Sequence, residues 1–200
     1  MDGGANFLRS VRLYSTKADA VTEGKIQGGH YGSPGEGDKI QDLGETVDAL
    51  VVAVREQALD FRDRDNVKRS NRLQDPLFQE IKANEPDDTQ CGTSWLLYVR
   101  ELGGFAELFL ANKSHKPKGK ELMAYLPELP ANGGQPGAVT LGVEIAESKK
   151  YRSKWQVPTV SKCDRPFTDL PDADAFNQER ERFLAPTKAV EEVEAPADAR

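Results

Sequence analysis

Hydrophobic residues in this chain occur in short runs and in strict alternation, which favours strands over long helices. The run from Val47 to Val54 is rich in β-branched residues and shorter than a typical helix, so it predicts a central strand buried on both faces. Trp95 to Val99 and Phe105 to Leu110 flank Gly103-Gly104. The second of these segments alternates, and together they predict a β-hairpin.

The clearest alternation lies near residue 140. Val139, Leu141, Val143 and Ile145 fall on one face of a predicted strand, with polar residues and glycine between them. A second alternating strand follows. One of its faces carries Tyr151, Ser153, Trp155 and Val157, and the other carries Lys150, Arg152, Lys154 and Gln156. The two strands are predicted to pair with each other, each with one face in the core.

Three segments carry the signals of short helices. Asp75 can accept hydrogen bonds from free amide groups and Pro76 tolerates the first helical position, so a helix is predicted to begin there. A second helix is predicted over residues 121–126, and a third after Asp172 or Asp174. The predicted buried residues are Leu77, Phe78 and Ile81 in the first helix, and Ala175, Phe176, Phe183 and Leu184 in the third.

These elements predict an α+β fold, with an antiparallel, partly barrel-like sheet of about five strands and two or three short helices. Nine of the 17 glycines fall before residue 45, so residues 1–44 are predicted to form a flexible glycine-rich arm. A single β-rich domain is predicted over 45–186, with the mixed-charge segment 62–72 as a surface loop. Residues 187–200 combine Ala, Pro and acidic residues and predict a disordered tail.

Composition excludes some classes of protein. The longest apolar run of the 200 residues, Ala49 to Val54, is far shorter than the ~18 to 20 residues of a membrane span. No secretory signal is expected at the N-terminus. Two cysteines are too few for a disulfide scaffold, which indicates a reducing compartment. We therefore expect a protein of the cytoplasm of the host cell. No contact with a membrane is expected.

No motif indicates catalysis. His30 lies in the glycine-rich stretch and His115 in a Lys-rich one, where an oriented general base is not expected. Cys91 belongs to no cysteine-enzyme pattern, and no ligand spacing for zinc, no calcium loop and no phosphate-binding glycine motif is present. We therefore expect no enzyme activity, no cofactor and no metal site.

Charge is distributed unevenly around an overall net charge of −6. Residues 109–165 contain ten basic and five acidic residues, a net charge of +5, whereas residues 166–200 carry −5. The candidate nucleic-acid contacts are the basic residues Lys113, Lys116, Lys118, Lys120, Lys149, Lys150, Arg152 and Lys154, and the aromatic residues Tyr151, Trp155 and Trp95. Alternate basic residues on a strand can follow phosphates at ~6 to 7 Å intervals, and aromatic rings can stack on bases. The alternative is that these aromatic residues pack in the core and the lysines are simply solvated.

A small β-rich domain, a basic strand face and an acidic C-terminal tail form a layout over residues 45–200 that resembles the single-stranded DNA-binding proteins of phages and other mobile elements. The resemblance implies an OB-like barrel and sequence-tolerant binding of single-stranded nucleic acid, DNA preferred, in replication or recombination. In that family the acidic tail recruits protein partners and competes with nucleic acid for the basic face. Self-association into a homo-oligomer is compatible with this layout.

A second function class fits the same chain. A viral structural or assembly protein could use a glycine-rich arm and an acidic tail for contacts between subunits. An enzyme with an unrecognised site is the third class. Salt-dependent binding to an oligonucleotide distinguishes the first class from the others.

Overall fold

A computed structural model describes residues 8–35, 39–63, 67–84, 86–126, 137–148, 153–168 and 170–186, without the side chains of 112–117, 148 and 153. The strands of this part of the chain are β1 (Arg9–Leu13), β2 (Tyr31–Pro34), β3 (Ile40–Gly44), β4 (Val47–Asp60), β5 (Lys68–Ser70), β6 (Thr89–Val99), β7 (Gly104–Ala111), β8 (Gly137–Ser148) and β9 (Ser153–Lys162). The helices are α1 (Asp19–Thr22), α2 (Pro76–Asn84), α3 (Asn112–Met123) and α4 (Ala173–Leu184), with a 3-10 turn at Arg100–Leu102.

All these strands join one mixed sheet. Its order is β3-β2-β1-β7-β6-β4-β8-β9, and β5 pairs with β4 beside this path. The β1–β7 pair is parallel and the other pairs are antiparallel. The sheet curls into a half-barrel, so that the Tyr31 hydroxyl of β2 donates to the Gly142 carbonyl of β8 at 2.9 Å. The α+β, barrel-like fold is confirmed, whereas a purely antiparallel sheet of about five strands is wrong.

The difference comes mainly from the glycine-rich stretch that was expected to be a flexible arm. Residues 9–44 contribute β1, β2 and β3, and the Tyr31 side chain is 0% exposed. A Cβ atom on Gly32 would lie 2.5 Å from Ile26 and 2.8 Å from Ile40. Glycine therefore permits close packing here rather than flexibility. Residues 68–70, expected in a loop, likewise pair with β4 as β5.

β4 is the central strand, and both of its faces are buried as predicted. Its register against β6 shifts between Val51 and Ala53. Such a bulge adds one residue to a strand and changes which side chains face each way. Val51 then packs in a cluster on the inner face of the curl, and Val52 and Ala53 pack on the outer face, the face beneath α4.

The predicted β6–β7 hairpin is confirmed. Its strands pair from Gly92↔Ala111 to Val99↔Gly104. Trp95, Ala106, Leu108 and Leu110 are buried in the inner cluster. The α3 helix covers this cluster with Leu122, but it begins at Asn112, well before the predicted 121–126 segment. The lysine-rich segment before residue 121, for which no helix was predicted, is thus helical.

The predicted β8–β9 hairpin is also confirmed, with pairing from Val139↔Lys162 to Ser148↔Ser153. Val139 and Leu141 are buried, whereas Ile145 is 69% exposed. Pairing of β8 with β4 ends at Leu141, so β8 extends past the body of the sheet and Ile145 lacks the predicted core contacts.

Two helices begin at the predicted caps. Asp75 Oδ1 accepts a hydrogen bond from the Leu77 amide at 2.9 Å, and Asp172 Oδ1 accepts one from the Ala175 amide at 2.8 Å. The α2 helix buries Phe78 and Ile81 completely, as predicted. The predicted burial of the apolar residues of α4 is confirmed in part. Phe183 is 1% exposed and Phe176 is half-buried, but Leu184 is 43% exposed.

Candidate nucleic-acid interface

The structure describes the predicted basic surface only in part. Lys149, Lys150, Tyr151 and Arg152 lie outside the described residues, as do the side chains of Lys113 and Lys116 and the tail 187–200. The backbone of Lys113 and Lys116 belongs to α3. The phosphate track that was predicted along Lys150, Arg152 and Lys154 therefore stays a prediction.

The remaining predicted lysines differ in their exposure to solvent and in their ion pairs. Lys118 Nζ lies 3.2 Å from both Glu121 and Glu144, and its side chain is 17% exposed. Burial by itself lowers the pKa of Lys118, but hydrogen bonds to the two carboxylates outweigh it and raise the pKa overall. Lys120 is exposed. Lys154 is 67% exposed and stands 3.8 Å from Glu147. The charge of Lys118 is therefore paired with carboxylates of the fold, while Lys120 and Lys154 face solvent.

The two tryptophans have different environments. Trp95 is 0% exposed, and its Nε1 group donates to Thr93 Oγ1 at 2.9 Å. A base cannot stack on a ring that no solvent reaches, so the assignment of Trp95 as a stacking residue is wrong. Trp95 is a core residue because β6 turns it toward the inner face, under Gly119 of α3. Trp155, on β9 opposite Ala146, is half-buried.

A cleft opens where β1 leaves β7. The two strands pair only from Arg9↔Ala106 to Val11↔Leu108, and β7 continues to Ala111 without a β1 partner. The cleft has a volume of about 250 Å³. Its lining includes the polar residues Arg12, Gln57, Arg69, Gln90 and Glu107 and the apolar residues Leu59, Phe61 and Phe109. We call this the β1–β7 cleft.

A buried ionic network forms one wall of the β1–β7 cleft. Glu107 is 12% exposed, and its carboxylate lies 3.3 Å from Arg55 and 3.9 Å from Arg69. Ser94 also donates to it. Burial lowers the pKa of Arg55 below its ordinary value, and Glu107 opposes this shift. An arginine stays protonated through such a shift. Arg55 and Arg69 flank the single carboxylate of Glu107, and Arg12 also lines the cleft, so this region carries a net positive charge.

Arg55 also contacts α4. Its guanidinium lies 4.2 Å from the centre of the Phe183 ring, and Nη1 donates to the Phe183 carbonyl at 2.5 Å. A cation at the C-terminal end of a helix is favourable because the last carbonyls carry partial negative charge. The side chains of the wall are therefore held in place from two directions.

Aromatic and cationic side chains both line the cleft. Phe61 and Phe109 are half-buried, while Arg12 is exposed and Arg69 is 50% exposed. Arg12 makes no ion pair with any carboxylate in the described part of the chain. Cationic groups beside partly accessible rings can hold an anion and a planar group together.

Sequence reasoning missed this cleft because its residues come from several strands that are distant in the sequence, among them β1, β4, β5, β6 and β7. Arg12 lay in the supposed arm, and Arg69 lay in the supposed loop. One local signal did exist: in β7, Phe105, Glu107 and Phe109 alternate with the core residues, which places a carboxylate and two rings together on the non-core face. No comparable signal marked β1 or β5.

A separate polar contact lies beside the cleft-forming strands, near β2 and β3. His30 Nδ1 lies 2.9 Å from Asp42 Oδ1, an exposed pair between β2 and β3. Among the described residues no three His, Cys, Asp or Glu side chains are grouped to hold a metal ion. None of the described helices has the length and apolar character needed to cross a bilayer.

Comparison with known proteins gives no relative: no family model, no curated protein and no solved structure matches the chain.

Proposed function

We propose that this protein binds single-stranded nucleic acid, DNA preferred, without catalysis, and that the β1–β7 cleft is part of the binding surface. The observation that carries the proposal is the pairing of exposed Arg12 and Arg69 with half-buried Phe61 and Phe109 around one cleft. Single strands offer a charged backbone and unstacked bases, and proteins bind them through cationic grooves and aromatic rings.

The charge balance of the cleft supports this role. Arg55 balances the charge of Glu107, and Ser94 donates a hydrogen bond to its carboxylate, so Glu107 does not cancel the charge of the two exposed arginines. Arg69 contacts Glu107 through only one long ion pair of 3.9 Å and keeps other donors free for a phosphate. Exposed Lys120 and Lys154, with the predicted contacts Lys150 and Arg152, form a second basic region in the proposal.

The alternative role in subunit assembly has less support. It relied on an N-terminal arm that reaches a neighbouring subunit, whereas residues 9–44 pair within their own sheet through β1, β2 and β3. An arm of that length would have to break the pairs of β1 with β7 and remove Tyr31 from the core. The acidic tail is compatible with either role, through protein partners in both.

The test is the salt dependence of oligonucleotide binding, measured by fluorescence anisotropy with a labelled dT15 strand. The double variant Arg12→Ala/Arg69→Ala removes up to two neutralised phosphates, so the log-log salt slope should flatten by about 1.4, at ~0.7 per contact. Affinity at low salt should fall, and the urea unfolding midpoint should change little because both side chains are exposed.

The matched control is Lys82→Ala/Arg182→Ala. It removes the same charge from exposed positions of α2 and α4 that do not line the cleft. Its salt slope should equal that of the unaltered protein. If the unaltered protein binds no oligonucleotide even at 20 mM salt, where attraction is strongest, the proposed function is wrong.

A further inference from the structure

The β1–β7 cleft is lined from both faces of the sheet. Leu108 and Leu110 belong to the inner cluster, and Glu107 and Phe109 alternate with them on the outer face. Both pairs can line one cavity because β1 pairs with β7 only as far as Val11, which leaves the rest of β7 without a described strand on that side. The cleft is therefore a pocket with depth, into which a flat group can enter.

Several walls of this pocket are fixed before any ligand binds. Tyr31 is buried, and its hydroxyl donates to the Gly142 carbonyl at 2.9 Å. Burial raises the pKa of Tyr31 above its ordinary value, so the hydroxyl keeps its proton and its hydrogen bond at neutral pH. On the outer face, Arg55 and Ser94 hold the Glu107 carboxylate. A ligand thus meets walls that are already ordered, which reduces the entropic cost of binding.

The size and lining of the pocket suit one ring that carries an anion. Its volume of about 250 Å³ is below the roughly 300 to 1,000 Å³ of pockets for drug-sized ligands, so it suits one small ligand and not a run of bases. Phe61 and Phe109 offer aromatic surface. Arg12 and Arg69 are the exposed cations of the lining, and the nearby carboxylate of Glu107 is already paired. A nucleotide combines a planar base with an anionic phosphate.

We propose that the β1–β7 cleft is a complete site for a single nucleotide, so that it binds a free nucleoside monophosphate as well as one nucleotide of a strand. The base stacks on Phe61 or Phe109, and the phosphate accepts hydrogen bonds from Arg12 and Arg69. The choice of ligand rests on the proposed function, but the site itself requires no strand. Stacking and phosphate contacts are common to all nucleotides, so no preference for one base is expected.

The first test is an NMR titration of the 15N-labelled protein with thymidine monophosphate (dTMP), with thymidine and with inorganic phosphate at constant ionic strength. The amide resonances of Arg12 and Phe109 report on β1 and on β7. Because dTMP carries both the ring and the anion, its dissociation constant should be at least about tenfold lower than that of thymidine or of phosphate, the effect of one charge-assisted hydrogen bond. If phosphate alone binds as tightly as dTMP, the nucleotide site is wrong.

Arginine variants measure the phosphate contact. Arg12→Ala/Arg69→Ala should remove the advantage of the phosphate, so that dTMP binds no more tightly than thymidine. Lys82→Ala/Arg182→Ala removes the same charge outside the cleft and should leave the ratio of the two dissociation constants unchanged. A folded Arg12→Ala/Arg69→Ala variant that keeps the full advantage of dTMP would show that the phosphate binds elsewhere.

Leucine variants measure the contact with the ring. Phe109→Leu keeps apolar volume but removes the aromatic face, so it should raise the dissociation constant of dTMP about three- to tenfold and leave that of phosphate unchanged. Phe61→Leu is the second variant if Phe109→Leu does not fold. Phe167→Leu is the matched control, because this half-buried ring lies 4.0 Å from the Arg100 guanidinium and does not line the cleft. Unchanged dTMP binding by the folded cleft variants would contradict the stacking contact.

Competition with labelled dT15 separates this inference from the proposed function, because dTMP should weaken the binding of the strand. If dT15 binds, but millimolar dTMP neither shifts the cleft resonances nor weakens dT15 binding, the single-nucleotide site is wrong and the proposed function stands. If dTMP binds in the cleft and dT15 does not bind, the proposed function is wrong and the site for a free nucleotide stands. If neither binds, both are wrong.

Discussion

Asp48 shows how a single buried charge is stabilised in this fold. The side chain is 2% exposed and lies 2.5 Å from Arg165 and 3.2 Å from Arg100, while Thr140 Oγ1 donates to Oδ1 at 2.7 Å. Burial by itself raises the pKa of Asp48. Hydrogen bonds from Thr140, Cys163 and Arg165, with the charge of Arg165, outweigh burial and place the pKa below its usual range.

This arrangement predicts a specific pH dependence of stability. The unfolded-state pKa of Asp is about 3.9 and the folded-state pKa is lower, so the contribution of Asp48 is fully present above about pH 4 and is lost as the pH falls through the folded-state pKa. Asp48→Asn should lower the free energy of unfolding by about 3 kcal/mol at pH 7, since the two arginines lose their partner.

The check is urea denaturation at several pH values. The difference between the unaltered protein and Asp48→Asn in free energy of unfolding should begin to narrow as the pH falls below about 4, because the unfolded chain then binds a proton that folded Asp48 does not. It should disappear below the folded-state pKa, where both proteins carry a neutral side chain. The exposed Asp164→Asn is the control and should change stability by less than about 0.5 kcal/mol. A difference that is the same at pH 7 and pH 3 would contradict the assignment.

At the scale of elements, α4 attaches to the outer face of the sheet through two phenylalanines of unequal burial. Phe183 is 1% exposed and packs with Leu50, Val52 and Leu96. Phe176 is half-buried, and its ring centre lies 5.1 Å from that of Phe105. The helix therefore depends more on its last turn than on its first.

Alanine substitution should destabilise the protein more at Phe183 than at Phe176. Phe183→Ala should lower the free energy of unfolding by about 3 to 5 kcal/mol, because loss of a fully buried ring leaves a cavity. Phe176→Ala should lower it by roughly half as much. Leu184→Ala, at a 43% exposed position of the same turn, is the control and should cost less than about 1 kcal/mol. Chemical denaturation of the three variants measures this. A greater loss for Phe176→Ala than for Phe183→Ala would show that the helix is anchored elsewhere.

At the scale of the whole molecule, the curled sheet and α4 determine where the acidic tail leaves the fold. Asn71, directly after β5, donates from Nδ2 to the Ala185 carbonyl at 2.9 Å. Arg55 donates to the Phe183 carbonyl. The chain therefore reaches Pro186 beside the strand that carries Arg69 and beside the network of the β1–β7 cleft.

The tail 187–200 carries four acidic and two basic residues, a net charge of −2. Pro186, the residue that precedes it, follows the Ala185 carbonyl that accepts a hydrogen bond from Asn71 beside β5. A chain that ends at Pro186 should bind dT15 roughly threefold more tightly at 50 mM salt, because a nearby negative charge is removed. The gain should shrink at 0.3 M salt through screening. Anisotropy titrations check both points.

A full-length variant with Glu191, Glu192 and Glu194 changed to Gln and Asp198 changed to Asn is the matched control for the loss of chain length. Its tail keeps Lys188 and Arg200, a net charge of +2, so it should bind at least as tightly as the truncated chain. Equal affinities of the truncated and unaltered proteins at 50 mM salt would show that the tail does not influence the cleft.

The sequence by itself determined the elements whose signals are local. The β-branched run predicted β4, alternation predicted β7, β8 and β9, and the side chains of Asp75 and Asp172 predicted the starts of two helices. In each case a repeating pattern or a cap lies within a few residues, so neighbouring positions carry the necessary information.

Tertiary structure alone decided the role of residues 9–44 and the position of the candidate site. β1 is five residues long and pairs in parallel with β7, nearly a hundred positions further along the chain, and Gly32 is required by side chains from three different segments. The β1–β7 cleft likewise exists only once β1, β7, β6, β4 and β5 have joined one sheet. Short strands contribute little local pattern, and contacts between distant residues leave no periodic signal in the sequence, so only the folded chain brings Arg12, Gln57 and Phe109 together.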